Sequence, residues 1–250
     1  ASASPVLTAR ALDVGWPGGP VVVTGVDLAV TPGRAIAIVG PSGAGKTTLL
    51  AALAGLLPAR GGSVDLDGTD IARATRQSVA RHVTMTAEDA HIFATTLLEN
   101  LRVARGDLTP EEGRDLLERC GLGDWLARLP DGLDTLLGAD GATVSGGERR
   151  RILLARALAS PAPLLLIDEP AEHLDSATAD AIMSDLMDLP RREPGRGVLV
   201  VTHHLAALGA ADEVVMLGGA EPATVCDRGT HDELSRRNAA YAGAASEGVG

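Results

Sequence analysis

An α/β fold is predicted, with a core of apolar parallel strands, an antiparallel β edge region and an inserted α-helical block. Three observations predict it. First, Gly40-Pro41-Ser42-Gly43-Ala44-Gly45-Lys46-Thr47 fits G-x-x-x-x-G-K-[ST] without a gap. The apolar run Ala35-Ile36-Ala37-Ile38-Val39 precedes it and Thr48-Leu49-Leu50-Ala51-Ala52-Leu53-Ala54 follows. That is the strand, glycine-rich turn and helix the motif needs. Second, Leu164-Leu165-Leu166-Ile167 and Val198-Leu199-Val200-Val201 are continuous apolar runs, as expected of strands covered on both faces. Third, residues from about 95 to 157 carry helix signals throughout.

The elements follow in order. Val6-Leu7-Thr8-Ala9-Arg10-Ala11-Leu12 alternates, and Val21-Val22-Val23 leads a second alternating run to Val30. Trp16-Pro17-Gly18-Gly19-Pro20 and Thr31-Pro32-Gly33 are turn signals bounding them. Leu56-Leu57-Pro58 is expected to end the helix after the glycine loop, and Gly61-Gly62-Ser63 to Asp67-Gly68 reads as a hairpin. Thr109-Pro110-Glu111-Glu112 is a capping box with Pro at the first helical position, and Gly121 is the matching stop. A helix is expected from Ser176 to Leu189, stopped by Pro190. A short helix follows Val201, then a strand at Glu213-Val214-Val215-Met216-Leu217, and Thr230-His231-Asp232-Glu233 caps a last helix.

Composition narrows the function classes. The 250 residues make one large domain or two small ones, and 45% hydrophobic content is enough for a sizeable core. With 2% aromatics, that core must be built from Ala, Val, Leu and Ile. A net charge of −11 argues against a general nucleic-acid surface. Cys120 and Cys226 lie far apart without metal spacing and read as thiols in a reducing compartment. No apolar run approaches the ~18 residues of a membrane span, so the chain as it stands is expected to be soluble. Ala1-Ser2-Ala3-Ser4-Pro5 reads as a linker.

The glycine loop carries the first chemistry. Its glycines let backbone N–H groups converge on phosphate oxygens, and the following helix adds the positive end of its dipole. Lys46, the only lysine in the chain, would reach the β- and γ-phosphates. A compact ammonium suits that place where a guanidinium fork does not. The Thr47 hydroxyl would ligate Mg²⁺, and Thr48 beside it would bind the nucleotide. Leu164-Leu165-Leu166-Ile167-Asp168-Glu169 is a hydrophobic strand ending in two acids, which at the carboxyl end of a parallel strand face a nucleotide crevice. Asp168 would hold Mg²⁺ through water, and Glu169 would polarise the attacking water as general base.

Val144-Ser145-Gly146-Gly147-Glu148 opens a helix from Arg149 to Leu158. Ser145 fits the N-cap and Glu148 falls at N3, a capping box, while Gly146 and Gly147 leave N–H groups open to an anion. Here the chain resembles the ATP-binding cassette (ABC) family, whose signature is Leu-Ser-Gly-Gly-Gln; Val144 and Glu148 are the departures. The resemblance covers essentially the whole chain. It implies a RecA-like phosphate-loop NTPase core, ATP and Mg²⁺ as ligands, and a second cassette packed head to tail, whose nucleotide Ser145, Gly146 and Gly147 would complete. Trp16 sits where the family places an aromatic, usually Tyr, that stacks on adenine; the alternative is a core Trp in a strand turn. Asp175, in Glu172-His173-Leu174-Asp175, matches the loop that contacts the opposite subunit. His203, after Val200-Val201-Thr202, matches the switch histidine on the γ-phosphate.

One departure matters more. The family has a glutamine five residues before the Phe of a Phe-x-x-Thr-like stretch, and Glu88 occupies that slot ahead of Phe93. Three readings stay open: a carboxylate ligand to Mg²⁺, a weakened site in an asymmetric pair, or a shifted register. Leu136-Leu137-Gly138-Ala139-Asp140-Gly141 and Gly229-Thr230-His231-Asp232-Glu233-Leu234 are similar to exporter-type cassettes. Glu88–Phe93, Ser145–Arg151 and Glu172–Asp175 together look most like the cysteine and glutathione exporters of cytochrome bd assembly, which pair two half-transporters. The resemblance then implies six membrane helices ahead of this chain and a place on the cytoplasmic face of the membrane. One ABC ATPase domain is expected over 1–250, with core and β edge at about 1–90 and 158–250 and the helical signature block at about 91–157. A chromosome or repair ATPase would add heptads between motifs about a hundred residues apart here, and none are present. A ribosome-binding factor would carry two cassettes. The closest alternative is the free-standing ATPase subunit of an importer, which often adds a C-terminal regulatory domain.

Overall fold

The computed structural model of the chain describes residues 5–86, 90–138 and 143–247, the last without its side chain. It opens with β1 (Leu7–Val14), β2 (Val23–Val30), β3 (Ala35–Val39) and α1 (Lys46–Leu53). β4 (Gly61–Leu66), β5 (Thr69–Asp70), the short α2 (Arg76–Ala80) and β6 (Val83–Met85) follow. Then come α3 (Leu97–Arg102), α4 (Pro110–Arg119), α5 (Gly123–Arg128) and α6 (Gly146–Ala159). After these lie β7 (Leu164–Asp168), α7 (Ser176–Arg192), β8 (Gly197–Val201), β9 (Glu213–Gly218), β10 (Thr224–Gly229), α8 (His231–Arg237) and α9 (Ala239–Glu247). The chain divides into two compact units, one of Ala1–Met85, Ala162–Glu169 and Met183–Gly250, the other of Thr86–Pro161 and Pro170–Ile182.

The first unit holds both sheets. Six strands run in the order β10-β9-β3-β8-β7-β6. The five from β9 to β6 are mutually parallel, and β10 adds an antiparallel edge. Every residue of β3 and β8 is buried, which is why those strands read as unbroken apolar runs. The second sheet, β2-β1-β4-β5, is antiparallel, with Leu7 opposite both Val30 and Leu66. One apolar cluster joins Leu7, Leu12 and Val26 of this sheet, Leu49, Leu50 and Leu53 of α1, and Leu164, Leu199 and Val201 of the larger sheet. α1 is therefore buried on both sides, which explains its nearly continuous Leu/Ala sequence.

The second unit is built on helix caps. Thr109 and Ser145 each form a full capping box, with Glu112 and Glu148 as the returning acids. Gly121, at φ 69°, closes α4 in the left-handed region that favours glycine. Asn100 is fully buried and fully used. Its Oδ1 accepts from the Phe93 N–H (2.9 Å) and from Arg156 Nη2 (2.8 Å), and its Nδ2 donates to the Phe93 and Thr96 carbonyls, both at 3.0 Å. A buried amide must be satisfied in this way to avoid a desolvation cost of about 1–3 kcal/mol.

Several expectations need correction. The first helix ends at Leu53, not at Leu56-Leu57-Pro58. Gly55, at φ 70°, lets the Leu56 N–H return to the Ala51 carbonyl (2.9 Å), so the left-handed glycine closes the helix before the proline is reached. α7 does not stop at Pro190 but runs on to Arg192. Proline in the last turn forfeits a single N–H bond, and Arg191 and Arg192 hold the end by donating to the Ala210 (2.8 Å) and Asp185 (2.6 Å) carbonyls. The 95–157 block is not helical throughout, since Thr96 pairs with Leu136 in an isolated antiparallel bridge. β6, β10 and α9 carried too weak a pattern to be foreseen; β6 has three residues, too few for alternation to register.

Leu50→Ala, which empties a fully buried position of the joint cluster, should lower the unfolding free energy by about 2–5 kcal/mol in a denaturant titration. Leu56→Ala, at a half-exposed position, should change it by less than about 0.5 kcal/mol in the same measurement.

Candidate active site

The glycine loop is jammed between strands of the first unit. A Cβ on Gly40 would lie 2.5 Å from the Leu217 carbonyl oxygen, and one on Gly45 2.6 Å from Val23 Cγ2. Gly45 also takes φ 81° as the N-cap of α1. No side chain caps that helix and no acid lies in its first turn, so its N-terminal N–H groups are open to an anion. Pro41, Ser42 and Gly43 are exposed, Ala44 half-buried and Thr48 buried. Thr47, between the buried Lys46 and Thr48, is exposed. Lys46 is buried, and its Nζ donates to the Gly40 (2.9 Å) and Pro41 (3.1 Å) carbonyls. An ammonium has three N–H bonds, so the loop fixes it while leaving a donor for a phosphate oxygen.

β7 and β8 bring the two acids and the histidine together. Asp168 ends β7 in register with Val201 of β8. Glu169 follows at φ 41°, a left-handed conformation that costs a non-glycine residue about 1 kcal/mol or more, held by its N–H donating to the Val201 carbonyl (2.9 Å). Its Oε2 lies 2.9 Å from His203 Nδ1 and accepts from the His203 N–H at 3.3 Å. Burial pushes the Glu169 carboxyl above its ordinary value, and the charges of His203 and Lys46 offset part of that rise. Such a carboxylate is both oriented and made more basic, as a general base needs.

Trp16 is 58% exposed on a turn closed by the Gly19 N–H donating to the Trp16 carbonyl (2.9 Å), so it is a surface platform rather than a core residue. In the second unit Ser145 Oγ accepts from the Glu148 N–H (3.2 Å) and Glu148 Oε2 from the Ser145 N–H (2.7 Å). Nothing crowds the Cβ positions of Gly146 and Gly147. Asp175 Oδ1 accepts from the Thr178 N–H (3.0 Å) and so starts α7; that bond holds its carboxyl below the usual range. Glu88, Asp89 and the stretch Ala139-Asp140-Gly141 lie outside the described residues.

Among the described residues no three or more His, Cys, Asp or Glu side chains could hold a metal ion together. The donor set that is present, the Thr47 hydroxyl and the Asp168 carboxylate, fits Mg²⁺, which is bound by one or two carboxylates plus substrate phosphates. Sequence reading gave no role to Arg150, which bonds Glu172, or to Tyr241. Tyr241 walls an apolar cavity of about 280 Å³ that also touches Gly40, Pro41 and His203. Its hydroxyl bonds His231 Nδ1 (2.9 Å), and burial pushes its pKa up to about 12. Only tertiary packing brings those residues near the loop.

A sequence model of the family described as ABC transporter matches residues 23–172. The chain belongs to the ABC transporter family. It is an ATP-binding domain of exporter type with the ABC ATPase fold, and the sequence resemblance is upheld. A β-(1→2)glucan export ATP-binding/permease protein of Rhizobium johnstonii is 36% identical over 217 residues, 87% of this chain and 36% of that protein. A mycobactin import ATP-binding/permease protein of Mycolicibacterium thermoresistibile is 38% identical over the same shares. The glutathione/L-cysteine transport system ATP-binding/permease protein CydD of Bacillus subtilis is 36% identical over 209 residues, 84% of this chain and 35% of its own. The ABC domain thus spans about a third of the length of the curated relatives it matches. Among solved structures, a bacterial Atm1-family ABC exporter with ATP bound superposes with a TM-score of 0.85 and 29% identity, covering 99% of this chain and 42% of that one. No helix among the described residues of the ABC domain is long and apolar enough to cross a membrane.

The raised Glu169 pKa fixes a sign for stability. A carboxyl that binds its proton more tightly when folded contributes stability that is full below its unfolded value of 4.5 and is lost as pH rises through the folded value. Glu169→Gln escapes that loss. Its thermal midpoint should exceed the wild type's at about pH 8, and the gap should close as pH falls toward 4.5; a gap independent of pH would contradict the assignment.

Proposed function

We propose that this ABC domain hydrolyses ATP as one of two cassettes that drive an exporter. The observation that carries the reading is the Glu169–His203 contact at the ends of β7 and β8, in the same unit as the Lys46-bearing loop. Gly40, Pro41, Ser42, Gly43, Ala44 and Gly45 would wrap the phosphates with backbone N–H groups, and Lys46 would neutralise β- and γ-oxygens. Trp16 would stack on adenine. Glu169 would take a proton from the water that attacks the γ-phosphorus, while His203, already oriented through Nδ1, would use its other ring nitrogen on a γ-phosphate oxygen. Mg²⁺, held by Thr47, Asp168 and Glu88, would supply charge neutralisation on the triphosphate. Ser145, Gly146 and Gly147 would complete the site of a second cassette, identical or different in sequence, and Asp175 would meet that partner.

The whole-protein reading is an exporter half-transporter, with its transmembrane domain N-terminal in the full-length chain and this domain on the cytoplasmic face. Its support is that the relatives are ATP-binding/permease proteins of which the matched region makes up 36% and 35% of the length. The same fact weighs against a free-standing importer subunit. A thiol cargo, cysteine or glutathione, is the finer reading; the CydD likeness and the Glu172–Asp175 stretch support it. The net charge of −11 speaks against nucleic acid as a partner.

Glu169→Gln should keep ATP binding, lower turnover by about 10²-fold or more, and elute as an ATP-bound dimer from a sizing column. An unchanged hydrolysis rate would sink the assignment. Glu88→Gln should retain turnover; complete loss of hydrolysis in the purified variant would give the acid a role of its own.

A further inference from the structure

The second unit contains a link between two segments that the proposed function assigns to different ATP sites. Ser145 caps α6, and that helix end would serve the partner's nucleotide. Five residues on, Arg150 Nη1 bonds the Glu172 Oε2 and lies 3.1 Å from His173 Nδ1. Both contacts fall on the loop that leaves the chain's own general base and ends at Asp175. The Arg150 and Glu172 side chains are 23% and 34% exposed, so the ion pair is partly shielded from water. His173 sits at φ 63°, a conformation rare outside glycine that persists only where its surroundings enforce it. The guanidinium clasping Glu172 and His173 together is such an enforcement.

The rest of α6 is anchored independently. Arg149 Nη2 donates to the Ala90 carbonyl (2.7 Å), and Arg151 Nη1 donates to the Gly121 carbonyl (2.7 Å). Arg156 holds the His91 carbonyl (2.7 Å) and the Asn100 carbonyl (2.7 Å). These bonds tie α6 to its neighbours, and the Arg150 contacts are the ones in this set that reach the 170–175 loop. A displacement of the Ser145 end that carries Arg150 with it bears on the 170–175 loop through these contacts. Either the loop follows, or the bond to Glu172 breaks.

We propose that Arg150 is a positioning residue that couples the signature end of α6 to the Glu172–Asp175 loop, so that engagement of the partner's nucleotide by Ser145 is felt at the chain's own hydrolysis site. The coupling rests on the head-to-tail reading above. Its free energy would be reciprocal, as any linkage between sites is.

The test uses the purified chain and a charge reversal: Arg150→Glu, Glu172→Arg and the double variant. The first readout needs no turnover. Amide hydrogen exchange at residues 171–175 should rise about tenfold in each single variant and return toward wild type in the double variant, with the 40–48 loop unchanged. Ser145→Ala, which loosens the first turn of α6, should speed exchange at 171–175 in the wild-type background and have no such effect with Arg150→Glu. Equal effects in both backgrounds, or single variants without effect, overturn the coupling. The second readout is the ATP dependence of hydrolysis. Each single variant should lose about tenfold in kcat with KM for ATP within about twofold, and the reversal should restore kcat to within about threefold. Loosened exchange with unchanged kcat would reduce Arg150 to a structural residue and overturn its positioning role. If the wild type and Glu169→Gln hydrolyse ATP equally slowly, the proposed function fails, while the exchange cycle still decides the coupling.

Discussion

The close approach of backbone to backbone at the glycine loop is the constraint on which the first unit depends. Gly40 lies against the carbonyl of Leu217 in β9, and Gly45 against the side chains of Val22 and Val23. Neither position has room for a Cβ. The loop therefore lies flush against its neighbours at these two points, and Lys46 finds its ammonium held by the Gly40 and Pro41 carbonyls. The same contacts fix the start of α1, whose leucines knit the antiparallel sheet to the parallel one. Loop geometry, helix placement and core packing are one problem with one solution.

Strain and burial coincide at Glu169. Glu169 occupies a left-handed backbone conformation just after β7, a strand that is apolar and buried up to Asp168. A buried carboxylate resists ionisation, and His203 restores part of that loss by lying 2.9 Å away. Such an arrangement costs stability and is retained where the resulting basicity is used. The second unit solves the opposite problem. Its capping boxes and its buried Asn100 satisfy the polar groups around them, so the exposed Ser145 end of α6 is firm without being covered.

Much of this was legible in the residue order. The glycine loop, the strand ending in Asp168-Glu169 and the Ser145–Glu148 capping box are each local, and each declares itself within eight residues. Continuous apolar runs gave the buried parallel strands, because a strand covered on both faces has no polar side to show. Where patterns were short, the reading failed. β6 has three residues, and β10 alternates between exposed and half-buried with no apolar face. Pro190 misled because its cost falls on one hydrogen bond at the end of a helix whose last turn is held by Arg191 bonding the Ala210 carbonyl and Arg192 the Asp185 carbonyl.

The sequence by itself determined the chemistry: a single lysine in a glycine loop, two acids after a strand, a serine before two glycines and a histidine after a strand. These depend on neighbours along the chain. Only the tertiary structure decided that Glu169 meets His203 across two parallel strands, that Trp16 faces solvent, and that Arg150 clasps Glu172 twenty-two residues away. Those are contacts between segments remote in sequence. They are set by strand register and helix packing, which no local pattern encodes.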